Sequence, residues 1–121
     1  MSKSVKWRKR PRNKDYPAAE AYLALIVGPA RARALGRRLR AAKLRQLPAR
    51  DILRASRTPM SEVRAFDWVR QNKDIRKGRR FAPLLLVCDS QSGKLIVADG
   101  FHRLCAAFAQ DQNATVPFKL A

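Results

Sequence analysis

Residues 83–120 read Pro83-Leu-Leu-Leu-Val-Cys-Asp-Ser-Gln-Ser-Gly-Lys-Leu-Ile-Val-Ala-Asp-Gly-Phe-His-Arg-Leu-Cys-Ala-Ala-Phe-Ala-Gln-Asp-Gln-Asn-Ala-Thr-Val-Pro-Phe-Lys-Leu120. Leu84–Cys88 is a wholly apolar run of strand length. Asp89 to Gly93 is a turn with an Asp start and a Gly finish, and Lys94–Ala98 is a second strand, so the pair predicts a β-hairpin. Asp99-Gly100 ends it. A helix follows with Phe101, Leu104, Cys105 and Phe108 on one side, Asn113 closes the next turn, and Thr115–Leu120 is a third strand. Strand, strand, helix, strand in forty residues predicts a small mixed sheet with flanking helices, an α/β (α+β) fold.

Upstream the pattern is helical. Pro17 opens a helix with Ala18, Ala19, Tyr22, Leu23, Ile26 and Val27 on one face, and Gly28-Pro29 breaks it. A second helix runs to about Ala42, with Leu35, Leu39 and Ala42 on one side and Arg33, Arg37 and Arg40 on another, Arg31 and Arg38 nearby. Leu44–Leu47 fits a short strand, and Pro48–Ala55 one or two helical turns. Thr58-Pro59 is a hydroxyl cap followed by proline. The helix it starts is expected to reach Lys77, burying Val63, Phe66 and Trp68 or Val69, and to stop at Gly78. The organisation expected is a flexible basic arm over 1–15, with Trp7 docking back or stacking on a base, a helical extension over 16–43 and an α/β domain over 44–121.

The 121 residues suit one domain and exclude most multidomain enzymes. Apolar residues make up 46%, too many for a wholly disordered basic tail. No apolar run approaches the roughly 20 residues of a bilayer span, and no apolar signal core follows the basic start, so a cytoplasmic location is expected. Cys88 and Cys105 form neither a disulfide framework nor a zinc pattern and read as small buried residues. No metal site is expected from them.

Charge is unevenly placed. Residues 1–80 hold 24 Lys/Arg against 6 Asp/Glu, and residues 81–121 hold 3 against 3, so the whole net +18 lies in the first two thirds. Such asymmetry points to a polyanionic partner, against the alternative of a merely solvated basic surface. No zinc finger, basic zipper or helix-turn-helix pattern is visible, so contact would be led by phosphates and weakened by salt. Lys9 and Arg10 in the arm and Arg33, Arg37 and Arg40 on the second helix are the candidate nucleic-acid contacts. DNA is favoured over RNA, and a homodimer is left open.

Asp99-Gly100-Phe101-His102-Arg103 lies where a strand meets a helix N-terminus. The first amides of a helix have no partner within it and favour anions. Gly100 permits close backbone approach, and Arg103 offers a guanidinium fork. Gly100, Phe101, His102 and Arg103 are therefore the candidate phosphate-binding set. An ordinary helix start, with Asp99 capping and His102 and Arg103 solvated, is the competing reading. Asp99 and His102 are the candidate catalytic residues. A carboxylate beside phosphates needs Mg²⁺ to bridge them or must cap the helix, and the cap is preferred. Imidazole titrates near working pH, yet a lone His on a helix more often only hydrogen-bonds.

The stretch Ile96–Leu104, with Ala106-Ala107, Thr115-Val116-Pro117 and the preceding Pro83–Val87, resembles the ParB/sulfiredoxin superfamily over about residues 44–121. Residues 16–58 are also similar to short bacterial proteins described as ParB-like. The resemblance implies a small α/β fold that holds a nucleotide (CTP, ATP or ADP, with Mg²⁺) at this turn, through Gly100, His102 and Arg103. ParB proteins bind and hydrolyse CTP while clamping DNA, sulfiredoxins use ATP, and a related free-serine kinase uses ADP. Phe101 occupies the slot of the sulfiredoxin catalytic Cys, which argues against reductase activity. Phe-His-Arg also replaces the Glu-Arg-Arg of ParB. The expectation is a nucleotide-binding, DNA-binding domain. The alternative is a small phosphotransferase or NTP hydrolase of the kinase type, with Asp51 or Glu62 as the base.

Overall fold

The computed structural model describes residues 4–65 and 69–121. In chain order the elements are β1 (Lys6–Trp7), α1 (Asp15–Val27), α2 (Pro29–Ala41), β2 (Arg45–Pro48), α3 (Ala49–Ala55), α4 (Met60–Ala65), α5 (Val69–Arg76), β3 (Arg80–Phe81), β4 (Leu84–Asp89), β5 (Lys94–Asp99), α6 (Phe101–Gln110) and β6 (Thr115–Leu120). Four strands form a mixed sheet in the order β2-β6-β4-β5. β6 runs antiparallel to β2 and parallel to β4, and β4 and β5 form the antiparallel hairpin. The expected α/β architecture is present.

The run Leu84–Val87 is apolar throughout because helices cover both faces of its strand. Leu84 and Leu86 point into a cluster with Ile52, Leu53 and Val63 of α3 and α4, Leu104 of α6 and Phe118 of β6. Leu85 and Val87 point the other way, into Leu23 of α1 and Leu35 and Leu39 of α2. The helices of segment 16–43 thus cover one face of the sheet, with a cluster of their own against Leu85, Val87, Ile96 and Ala98. Cys88 continues the apolar run but is exposed, whereas Cys105 is buried. Cys88 alternates with Leu84 and Leu86 along the strand and lies beyond them toward the hairpin end. The turn that follows is tied by Asp89, whose carboxylate accepts from Ser92 Oγ at 2.6 Å and from the Gln91 amide at 3.2 Å.

α1 and α2 form a hairpin about Gly28, whose φ of 89° allows the reversal, with Pro29 in the first turn of α2. They pack closely at Gly36, where an added Cβ would collide with the Glu20 side chain. α2 buries Ala32, Leu35, Gly36 and Leu39 at helical spacing. α1 departs from the expected single apolar face. It buries Tyr16, Ala19 and Leu23, while Tyr22 and Ile26 are each 48% exposed and Leu25 is 87% exposed. Thr58 does not cap the next helix; its hydroxyl pairs with Ser56 Oγ at 2.7 Å. Helix is present at 60–65 and again at 69–76, and the expected core positions Phe66 and Trp68 lie outside the described residues.

The arm docks back on the domain. β1 pairs in parallel with β3, the Arg8 amide donates to Phe81 O at 2.7 Å, and the Trp7 ring meets Phe81 edge-on at 5.8 Å. Phe81 belongs with Ile75 and Ala106 to a third small cluster, and Trp7 packs against it. This cluster holds the arm, α5 and α6 together and sets the walls of the site described next.

Candidate anion-binding site

β5 delivers the chain to Gly100, which adopts a left-handed φ of 102° and serves as the N-cap of α6 without any side-chain cap. A Cβ at this position would lie 2.5 Å from Leu84 Cδ2 and 2.7 Å from Arg103 Nη2. Only glycine fits, by dihedral and by space. The Leu104 amide donates to Gly100 O at 2.9 Å and closes the first helical turn.

Asp99 does not cap the helix, contrary to the preferred expectation. Its Oδ2 accepts from Arg103 Nη2 at 2.9 Å, an i,i+4 ion pair with both side chains largely buried. The same Nη2 lies 3.5 Å from Pro83 O. Arg103 Nε is buried with no hydrogen-bond partner, and an unmet buried donor of this kind costs about 1–3 kcal/mol. Burial pushes the Asp99 carboxyl above its ordinary value, with Asp15 adding to the rise and Arg103 and Lys14 opposing it.

The turn opens on a cavity of about 460 Å³. Its other walls come from the docked arm (Arg12, Lys14, Asp15), from α5 (Arg70, Asp74) and from the link into the core (Arg79, Arg80). With Arg103, six cationic side chains line one space against three carboxylates. All three carboxylates are engaged: Asp15, 6% exposed, accepts from the Arg12 amide at 2.8 Å, Asp74 pairs with Arg79 at 3.1 Å, and Asp99 holds Arg103. Arg12, Lys14, Arg70 and Arg80 form no ion pair with a described carboxylate. The arrangement leaves a positive excess around one concave space, with Arg12, Lys14, Arg70, Arg79 and Arg80 exposed to solvent and Arg103 half-buried at its base.

Asp99, Gly100, Phe101, His102 and Arg103 all line this cavity. His102 is exposed, its ring 6.3 Å from that of Phe101. The two candidate bases do not join them there. Asp51 is on α3, its carboxylate 3.8 Å from Arg50 Nε. Glu62 lines a second cavity of about 640 Å³, which reaches Asp99, Gly100 and Phe101 from another side. Among the described residues no three His, Cys, Asp or Glu side chains gather as metal ligands.

Of the candidate nucleic-acid contacts, Lys9, Arg10, Arg33 and Arg37 are exposed. Arg40 has a different occupation. It pairs with Glu20 at 2.7 Å and stacks over Tyr16 at 5.0 Å, so it fastens α2 to α1. Sequence reasoning missed Arg12, Lys14, Arg70 and Arg80 as cavity residues. The Arg79-Arg80 pair just before the core was a visible signal, but its convergence with the arm depends on two strands of two residues each.

Comparison with protein-family models, with curated proteins and with solved structures finds no match for this chain.

Proposed function

We propose that this protein binds a phosphate-bearing ligand, a nucleotide, in the cavity at the start of α6, and contacts nucleic acid, DNA in preference to RNA, through its basic first two thirds. The observation that carries the reading is the gathering of six cationic side chains around one cavity beside the uncapped α6. Its volume lies within the roughly 300–1,000 Å³ of small-molecule sites. A phosphate oxygen near Arg103 would relieve the unmet Nε donor. Arg12, Lys14, Arg70 and Arg80 are the cations that a phosphate chain would neutralise, each charge-assisted bond contributing about 1.5–3 kcal/mol.

Mg²⁺ belongs in this reading as the counterion of the nucleotide. The resemblance to the ParB/sulfiredoxin superfamily supports the same location of the phosphates and leaves CTP, ATP and ADP as the ligands to compare. A cytoplasmic location goes with it; among the described residues no helix is long and apolar enough to cross a membrane.

Thermal shift tests the site. CTP, ATP or ADP with Mg²⁺ at about 100 times its dissociation constant should stabilise the fold by about 2.7 kcal/mol. A melting temperature unmoved by millimolar amounts of all three would contradict the reading.

A second reading, phosphotransfer or NTP hydrolysis, is favoured by one observation: the raised carboxyl of Asp99 beside the cavity suits a proton acceptor. It requires Asp99→Asn to retain nucleotide binding and lose turnover. Turnover unchanged in that variant would remove Asp99 from any chemistry.

A further inference from the structure

The arm that walls one side of the anion site is held at two points. At one, the Arg12 amide donates to the buried Asp15 carboxylate at 2.8 Å, and the Asp15 amide donates back to Arg12 O at 3.0 Å. At the other, β1 pairs with β3, the Arg8 amide donates to Phe81 O, and the Trp7 ring lies edge-on to Phe81. Lys9 and Arg10 between them are exposed. The second attachment is small. It consists of one parallel pairing of two residues and the half-buried side chains of Val5 and Trp7. A terminal segment tied by so few contacts opens locally far more readily than the core.

Charge works against this attachment. Residues 4–14 carry six Lys and Arg and no Asp or Glu, and none of the six pairs with a described carboxylate. Docking sets Arg12 and Lys14 around the same cavity as Arg70, Arg79, Arg80 and Arg103. Like charges gathered in this way oppose closure. An anion in the cavity removes that opposition, and it gains Arg12 and Lys14 as partners only with the arm in place. It therefore binds the docked form more tightly than the open one, and such a difference in affinity shifts the population to the docked form. The coupling is reciprocal, so whatever frees the arm weakens the ligand.

We infer that the arm is a strap closed by the phosphate ligand, with Trp7 as the positioning residue that sets Arg12 and Lys14 over the cavity. Trp7 does not itself line that cavity. Its ring acts through Phe81, which does. This inference rests on the anion site proposed above and adds to it a ligand-dependent change in the arm.

Limited trypsin digestion of the full chain, with the cleavage sites identified by mass spectrometry, tests the strap beside calorimetry in the same buffer. The probes are CTP, ATP and ADP, each with Mg²⁺. Cleavage after Lys6 and Arg8, neither of which lines the cavity, should slow about fivefold or more with a probe that binds. Cleavage after Lys43, between α2 and β2, should keep its rate. Trp7→Ala should weaken binding of the same probe about fivefold or more and remove the protection at Arg8. A probe that binds the natural chain without slowing cleavage after Lys6 and Arg8 overturns the strap and leaves the anion site standing. So does equal affinity for the natural chain and Trp7→Ala, or protection at Lys43 as strong as at Arg8. If Trp7→Ala does not fold, protection in the natural chain decides alone. Binding of none of the three probes overturns the strap and the anion site together.

Discussion

The Arg-rich helix α2 and the cavity at the start of α6 are both strongly basic, but they are built in opposite ways. α2 carries five arginines within ten residues, Arg31 to Arg40. Helical geometry spreads them around a cylinder, with Arg33 and Arg37 facing solvent and Arg40 held by Glu20 and Tyr16. The cavity draws its six cations from segments just over ninety residues apart, from Arg12 to Arg103, and folding brings them to one concave space. Density in sequence is therefore a poor guide to convergence in space. Extended polyanions suit the first arrangement, and compact ones the second.

The largest effect that would break this comparison is on the turn itself. Gly100→Ala should lower stability by about 2–4 kcal/mol, combining the strain of a positive φ with overpacking against Leu84. Gly28→Ala, where φ is also positive but no atom lies within 4 Å of the added Cβ, should lose only about 1–2 kcal/mol. Urea denaturation of both variants checks the difference, and equal losses would mean that the corner is not closely packed.

The next effect separates the arginines of α2. Arg33→Ala with Arg37→Ala should lower the salt slope of DNA binding by about 1 per arginine and leave stability unchanged. Arg40→Ala should do the reverse, leaving the slope alone and lowering stability by about 1 kcal/mol or less, since its ion pair is half exposed. A slope that falls equally in all three would contradict the structural assignment of Arg40.

A smaller effect sharpens the electrostatics of the cavity. The Asp99 carboxyl is raised above the ordinary value of 3.8, so the folded chain holds that proton more tightly than the unfolded chain. Its stabilising contribution is fully present below 3.8 and is lost as pH rises through the folded value. In Asp99→Asn that decline should be absent from a stability-against-pH profile taken upward from pH 3. An identical decline in both proteins would assign it to another group. The two thiols give the mildest test. Burial pushes Cys105 up to about 12, so a thiol reagent near pH 8 should label Cys88 in the folded chain and reach Cys105 only after unfolding.

The last forty residues were legible because their signals are local. The run at Leu84, the Asp89–Gly93 turn and the Asp99-Gly100 boundary each act within a few residues, and β4, β5, α6 and β6 lie where those signals put them. Cys88 was misread because an apolar run does not reveal which of its side chains tertiary packing leaves exposed. Asp99 was misread as a cap although its i,i+4 spacing to Arg103 was visible. Both readings fit the same residues, and only the backbone at Gly100 decides between them. The cavity was half legible. Its floor, Asp99 to Arg103, is a contiguous motif, but its roof depends on β1 meeting β3 across more than seventy residues. Pairing of that kind leaves no periodic trace in two-residue strands.

Titration calorimetry of nucleotide binding, comparing the natural chain with an Arg12→Ala/Arg80→Ala double variant at low salt, tests the central claim most directly. Neither side chain pairs with a described carboxylate, so both variants should fold with unchanged stability. Loss of about 10- to 100-fold in affinity in the double variant, with Arg33→Ala/Arg37→Ala binding as tightly as the natural chain, is the expected result. Equal affinity in all three proteins, or no measurable binding to the natural chain, would contradict the account.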